Sequence, residues 1–151
     1  MDNKEMMIVK DENNAEYELN INKLTEQSEK EVVTVLAPEC PVSVNDPGEL
    51  YNIMSGESYP ISDVVNKPIE LAGVIAHYAE MRDRNSGEIR RLPRIVLIDI
   101  DGNAFGSVST TLFKSLVNLL GTFNGLAQPI SITIKNNDKD GKRFYTISVN
   151  K

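Results

Sequence analysis

The run from Tyr78 to Arg94 constrains the fold more than any other stretch. Apolar, strand-like segments precede and follow it, and Asn85-Ser86-Gly87 marks a turn in its middle. That pattern predicts a long hairpin arm. Five of the six arginines lie in it, Arg82, Arg84, Arg90, Arg91 and Arg94, whereas the rest of the chain has ten lysines and only Arg143. Planar, permanently charged guanidinium forks suit phosphate or carboxylate recognition better than general solubility does. Glu80, Asp83 and Glu88 interrupt them and leave residues 78–94 at a net +2. A solvated hairpin laced with cross-strand ion pairs is therefore the plainer alternative.

Charge is unevenly placed along the rest of the chain. The net charge is −6, but residues 1–50 sum to −8 and residues 51–151 to +2. An acidic N-terminal third joined to a mildly basic remainder leaves room for a polyanionic ligand, because local potential matters more than the total. The 151 residues, 40% hydrophobic and 25% charged, are ordinary for one globular domain with a real core. No apolar run approaches the roughly 20 residues that cross a bilayer, and the first residues lack the pattern of a signal peptide. The single Cys40 excludes an internal disulfide and a cysteine zinc site, which fits a cytoplasmic setting.

Hydrophobic periodicity then orders the elements. Residues 1–16 read as a mobile acidic tail, and residues 17–65 as an N-terminal extension packing on the main domain. Within the extension, Tyr17, Leu19 and Ile21 alternate as a short strand, and residues 32–36 form another before Pro38 and Pro41. Leu24 to Lys30 is a helical turn or a loop, Asn45-Asp46-Pro47-Gly48 is a turn, and Leu50 to Met54 is a short apolar stretch. From residue 66 the pattern is clearer. A first strand runs from about Ile69 to Tyr78, with Pro68 able only to start it. Leu71, Ile75 and His77 fall on one side of it, and Ala72, Val74, Ala76 and Tyr78 on the other. A second strand covers about 94–100, and Asp101-Gly102 turns into a third near 103–108. Ser109 caps a helix over about 110–120, with Leu112, Phe113, Leu116, Val117 and Leu120 as its apolar stripe and Gly121 at its end. Strands near 130–135 and 143–149 follow, separated by a polar loop at 136–142.

Three strands, a helix and two strands make a mainly β chain in the order of an OB-fold, a five-stranded Greek-key barrel that binds oligonucleotides. The arginine arm takes the place of the loop between strands 1 and 2, and residues 136–142 that of the loop between strands 4 and 5. In the last strand Tyr145, Ile147 and Val149 share the core side, which leaves Phe144 on a polar face beside Lys142. There it stacks on a base, unless a bulge reverses the parity or the N-terminal region covers the ring. Tyr78 reads as a stacking platform or a strand-end packing residue, and Phe105 offers the same choice. Asp99-Ile100-Asp101-Gly102 superficially resembles a calcium loop, but turn chemistry explains it and the remaining ligands are missing. His77, the only histidine, excludes a triad based on a histidine elsewhere. No phosphate-binding glycine motif is present.

Several short stretches, in order, resemble the single-stranded DNA-binding proteins of small protein-primed tailed phages of Gram-positive bacteria. They are Tyr51-Asn52-Ile53, Ile69-Glu70, Ile75-Ala76-His77-Tyr78, Asp101-Gly102 with Ser107 and Ser109, the helix, and residues 141–147. The resemblance implies an OB-fold at 66–151 that coats single-stranded DNA during phage replication in the host cytoplasm, without sequence preference and without catalysis. No cofactor, metal or membrane is expected. The expected contacts are Arg82, Arg84, Arg90, Arg91, Arg94, Lys135, Lys142 and Arg143 on the backbone, with Tyr78, Phe105 and Phe144 on bases. Replication proteins and self-association along the strand are further expected partners. The alternative is a protein-interaction module of the same fold whose arginine arm docks an acidic partner or another subunit.

Overall fold

A computed structural model describes residues 6–13, 15–20, 33–42, 48 and 59–150. It is mainly β, with one α-helix among the described residues. The strands are β1 (Met6–Lys10), β2 (Glu16–Asn20), β3 (Val33–Leu36), β4 (Tyr59–Pro60), β5 (Pro68–Asp83), β6 (Ile89–Asp99), β7 (Ala104–Ser107), β8 (Ile130–Lys139) and β9 (Lys142–Val149). Helix α1 spans Thr110–Phe123, between β7 and β8. All nine strands belong to one sheet. No helix among the described residues is long and apolar enough to cross a membrane.

Strand β5 is the hub. One of its edges pairs with β6 from Leu71 to Arg82. The other edge is shared in succession by β8 at residues 68–71, β3 at 73–76 and β2 at 81–83. All these ladders are antiparallel; among the described residues the only parallel one joins β4 to β7 over two residues. Through β5, the five C-terminal strands follow the path β7-β6-β5-β8-β9.

A closed five-stranded barrel does not form, because β7 and β9 do not pair. Two outward amides of β9 are taken by side chains instead: Arg143 N donates to Asn13 Oδ1 (3.1 Å) and Tyr145 N to Thr111 Oγ1 (3.2 Å). Asn13 belongs to the turn between β1 and β2, so from Met6 onward the stretch read as tail is part of a paired hairpin. Asp11, Glu12 and Glu16 sit in a hairpin whose apolar residues Val9 and Tyr17 pack on Met81 and Val108. The expected elements at 24–30, 45–47 and 50–54 lie outside the described residues.

The principal core lies between the sheet and α1. Leu71, Val74 and Ala76 of β5, Ile95 and Leu97 of β6, and Ile132 and Ile134 of β8 meet Leu112 and Leu116. Ile75, Val96, Ile98 and Ala104 form a second cluster with Val42, on the other face. Strands buried on both faces read as continuous apolar runs, so alternation could not assign their sides. A bulge between Leu71 and Gly73 adds to this. The extra residue shifts parity, and Leu71 joins Val74 and Ala76 rather than Ile75.

Local boundaries differ in instructive ways. In α1 the Ser109 hydroxyl accepts from Leu112 N (3.1 Å) as expected, but the helix continues past Gly121. Asn124 takes the left-handed conformation (φ 56°) that ends it, followed by Gly125 (φ 92°). Val117 is 53% exposed and outside the buried stripe, where Leu119 takes a place. Residues 136–142 are mostly strand: β8 and β9 pair up to Lys139 and Lys142, which leaves the two-residue turn Asp140-Gly141, both with positive φ.

Gly73 shows how closely β3 and the following turn press on β5. A Cβ there would lie 2.7 Å from Leu36 Cδ2 and 3.2 Å from Cys40 Sγ. Gly73→Val should therefore cost about 1–3 kcal/mol by overpacking. Urea unfolding of the two proteins checks this, and an unchanged midpoint would mean that β3 does not hold this position.

Candidate nucleic-acid interface

The arm forms as a regular ladder whose pairs run out to Arg82 and Ile89. Its tip is a tight turn: Gly87 N donates to Asp83 O (2.8 Å), with Gly87 at φ 75°. The Asp83 carboxylate accepts from the backbone N–H groups of Asn85 (2.8 Å) and Ser86 (3.3 Å). The Asn85 N–H leads, with Ser86 and the charge of Arg90 adding to it, in holding the Asp83 carboxyl below its usual range. Asp83 is thus a turn residue of the arm.

The arm's arginines fall into three environments. Arg82 and Arg84 meet the carboxylates of β2. Arg82 donates to Glu18 Oε1 through both Nε (3.0 Å) and Nη2 (2.5 Å). Arg84 Nη1 lies 3.2 Å from Glu16 Oε1, and its Nε lies 3.7 Å from Glu18 Oε2. Both guanidinium groups stay about half exposed. Solvated pairs of this kind contribute about 0.2–1 kcal/mol each and are weakened by salt. Arg90 has a looser neighbour, Glu88, at 3.7 Å.

Arg91 is placed differently. Its Cζ lies 5.5 Å from the centroid of the Tyr78 ring, which meets Phe113 of α1 edge-on at 5.4 Å. Tyr78 therefore packs at the root of the arm and supports an exposed guanidinium at the same time. Its packing on Phe113 is that of a strand-end residue.

Arg94 and Phe105 are corrections. Arg94 is only 3% exposed, opposite His77 in the β5–β6 ladder, and cannot reach a backbone phosphate from there. Burial lowers its pKa to about 10, so it remains cationic at neutral pH. Phe105 is 8% exposed and belongs to the principal core, where Tyr59 touches it at 6.2 Å. Parity in β7 turns Phe105 inward, to the side of Leu97, its register partner.

On β8 and β9 the expected polar face exists. Lys135 pairs with Thr146 and Asn137 with Phe144, so these side chains share the side opposite Ile134 and Tyr145. Phe144 is half-buried there, and Asn137 Nδ2 donates to Thr146 Oγ1 (2.8 Å). Lys142 and Arg143 are exposed at the start of β9. Two basic regions thus emerge, the arm and the β8–β9 hairpin: Arg82, Arg84 and Arg91 share one face of the arm with Arg90 on the other, and Lys135 and Lys142 share the Phe144 face with Arg143 on the other. The β1–β2 turn joins them: its Asn13 Nδ2 donates to Arg143 O (3.1 Å), while Glu12 accepts from the hydroxyls of Ser109 and Thr111 (3.1 Å from the latter).

Glu16 and Glu18 are the partners of the arm that sequence reasoning passed over. The signal was present: if Tyr17 and Leu19 share one side of a strand, Glu16 and Glu18 share the other. Asp99, by contrast, is a turn residue. Its carboxylate accepts from Asp101 N (3.0 Å), Asn103 N (2.8 Å) and Asn103 Nδ2 (3.1 Å). No protein-family model, curated protein or solved structure matches the chain.

Behind this surface, burial holds the His77 imidazole at about 4, with the charge of Arg94 acting in the same direction. The unfolded imidazole protonates near its ordinary 6.5. Between those values the unfolded chain takes up a proton that the folded chain refuses, so stability falls as pH drops from about 7 to 4. The contribution is about 3 kcal/mol, fully present above pH 6.5. Urea midpoints at pH 7 and 4.5 should separate less in His77→Asn than in the parent. Equal separation would mean that His77 does not carry the effect.

Proposed function

We propose that this chain is a non-enzymatic protein that binds and coats single-stranded DNA, largely without sequence preference, during replication of a phage genome. The reading takes the path β7-β6-β5-β8-β9, with α1 between the third and fourth of these strands in chain order, as an open variant of the OB arrangement. One observation carries it. A single hairpin presents four exposed arginines, one of them lying over an aromatic ring at its root. Guanidinium groups grip phosphates or lie flat on bases, and rings such as Phe144 stack on any base, which accounts for binding without sequence readout. The working set is Arg82, Arg84, Arg90 and Arg91 on the arm, with Lys135, Lys142, Arg143 and Phe144 on β8–β9.

A second reading has its own support. Arg82 and Arg84 already hold the carboxylates of an extended strand, which is how an acidic protein partner would dock.

A fluorescence titration with labelled oligothymidine, using duplex DNA and an acidic peptide as controls, separates the two. Tight binding to the single strand alone supports coating. If three or four phosphates are neutralised, log affinity should fall with log salt at a slope of about −2 to −3. Replacing Arg90 and Arg91 together with alanine should weaken binding about 10-fold or more and make that slope shallower by about 1.4, with the fold intact. Salt-independent affinity, or preference for the peptide, overturns the DNA reading.

A further inference from the structure

Resting on that reading, we infer that the hairpin β1–β2 is a built-in phosphate mimic. Glu16 and Glu18 occupy the guanidinium groups of Arg82 and Arg84, which two phosphates of single-stranded DNA take over on binding. The site is an anion site, and the chain supplies its resting occupant.

Geometry favours this over an incidental surface pairing. One oxygen of Glu18 takes both the Nε–H and the Nη2–H of Arg82, so the side edge of the guanidinium is held by a single anionic oxygen, which a phosphate oxygen can replace. Glu16 and Glu18 lie two residues apart on one face of β2, which separates their attachment points by about 7 Å. That is close to the spacing of successive phosphates along an extended strand. Both arginines and Glu16 remain solvent-accessible, so an incoming polyanion can reach them.

The attachment of the hairpin also suits exchange. Strand β2 meets β5 at three register pairs, whereas β6 meets it at eleven. Tyr17 and Val9 anchor it through Met81 and Val108. Tyr17 points away from the side that carries Glu16 and Glu18, so the carboxylates can leave the arginines while this apolar contact stays closed. At its other end the same hairpin holds the β9 edge through Asn13, beside Arg143. The acidic hairpin, with Asp11, Glu12, Glu16 and Glu18, is thus laid between the two basic regions that would grip DNA.

The test uses the full chain and labelled oligothymidine at fixed salt. Glu16→Gln with Glu18→Gln is near-isosteric and should tighten binding by about 3- to 10-fold, the worth of two solvated ion pairs. Glu39→Gln with Asp63→Asn makes the same change of net charge at exposed acids outside the hairpin, and should tighten it less than about twofold. The gain should also vanish when Arg82 and Arg84 are both alanine, which closes a double-mutant cycle on the pairs. An equal gain in the charge control overturns the mimic, and so does a gain that survives loss of both arginines. If the parent binds and the glutamine variant binds no better, the mimic fails while the DNA reading stands. Absence of binding by every protein, in low salt too, defeats the DNA reading itself.

Discussion

The structure depends on the use of both edges of β5. A strand of sixteen residues carries backbone donors and acceptors along its whole length, and each buried one needs a partner. The β6 edge is satisfied by one long ladder. The other is satisfied piecewise by β8, β3 and β2, elements that lie far apart in the sequence. Taking up that second edge draws the N-terminal segment into the sheet and leaves β5 and β6 covered on both faces. Burial of Ile75, Val96 and Ile98 beneath the segment around Val42 follows from the same arrangement. It also removes the outer face of these strands as a surface for a ligand.

What remains available is the distal arm and the β8–β9 hairpin, and there electrostatics take over from packing. Guanidinium groups on a narrow, solvated arm gain little from any one carboxylate, because water and salt screen the pair. The same arginine chemistry behaves otherwise at Arg94, where burial makes the charge part of the interior. Five arginines within thirteen positions therefore do different jobs, decided by how far each lies from the root of the arm and which way its strand turns it.

The gap between β7 and β9 links the two regions. Side chains of Asn13 and Thr111, instead of a strand, take the outward amides of Arg143 and Tyr145 in β9. Side-chain caps hold fewer amides than a ladder would, and they tie the acidic hairpin to the end of β9 that carries Arg143. An open sheet and an acidic strap are thus two aspects of one arrangement.

Much of this was legible in the chain itself. The arm, its turn, the strand order from Pro68 onward, the Ser109 cap and the outward side of Phe144 follow from local rules: turn residues, period-2 alternation and capping chemistry. Local rules lost their grip where a residue's environment comes from distant sequence. Parity in β5 was hidden by burial on both faces and shifted by the bulge at Leu71/Gly73. Arg94 reads in sequence like its neighbours, and only the ladder sets it inside, opposite His77. The polar residues at 11–16 read as tail, and Glu18 as an ordinary strand residue, because their partners Arg82, Arg84, Arg143 and Ser109 lie some 65 to 130 positions away. The sequence alone determined a mainly β chain carrying one arginine-loaded hairpin. Tertiary structure alone decided which of those arginines face solvent and which acids meet them, since both depend on contacts that no local pattern encodes.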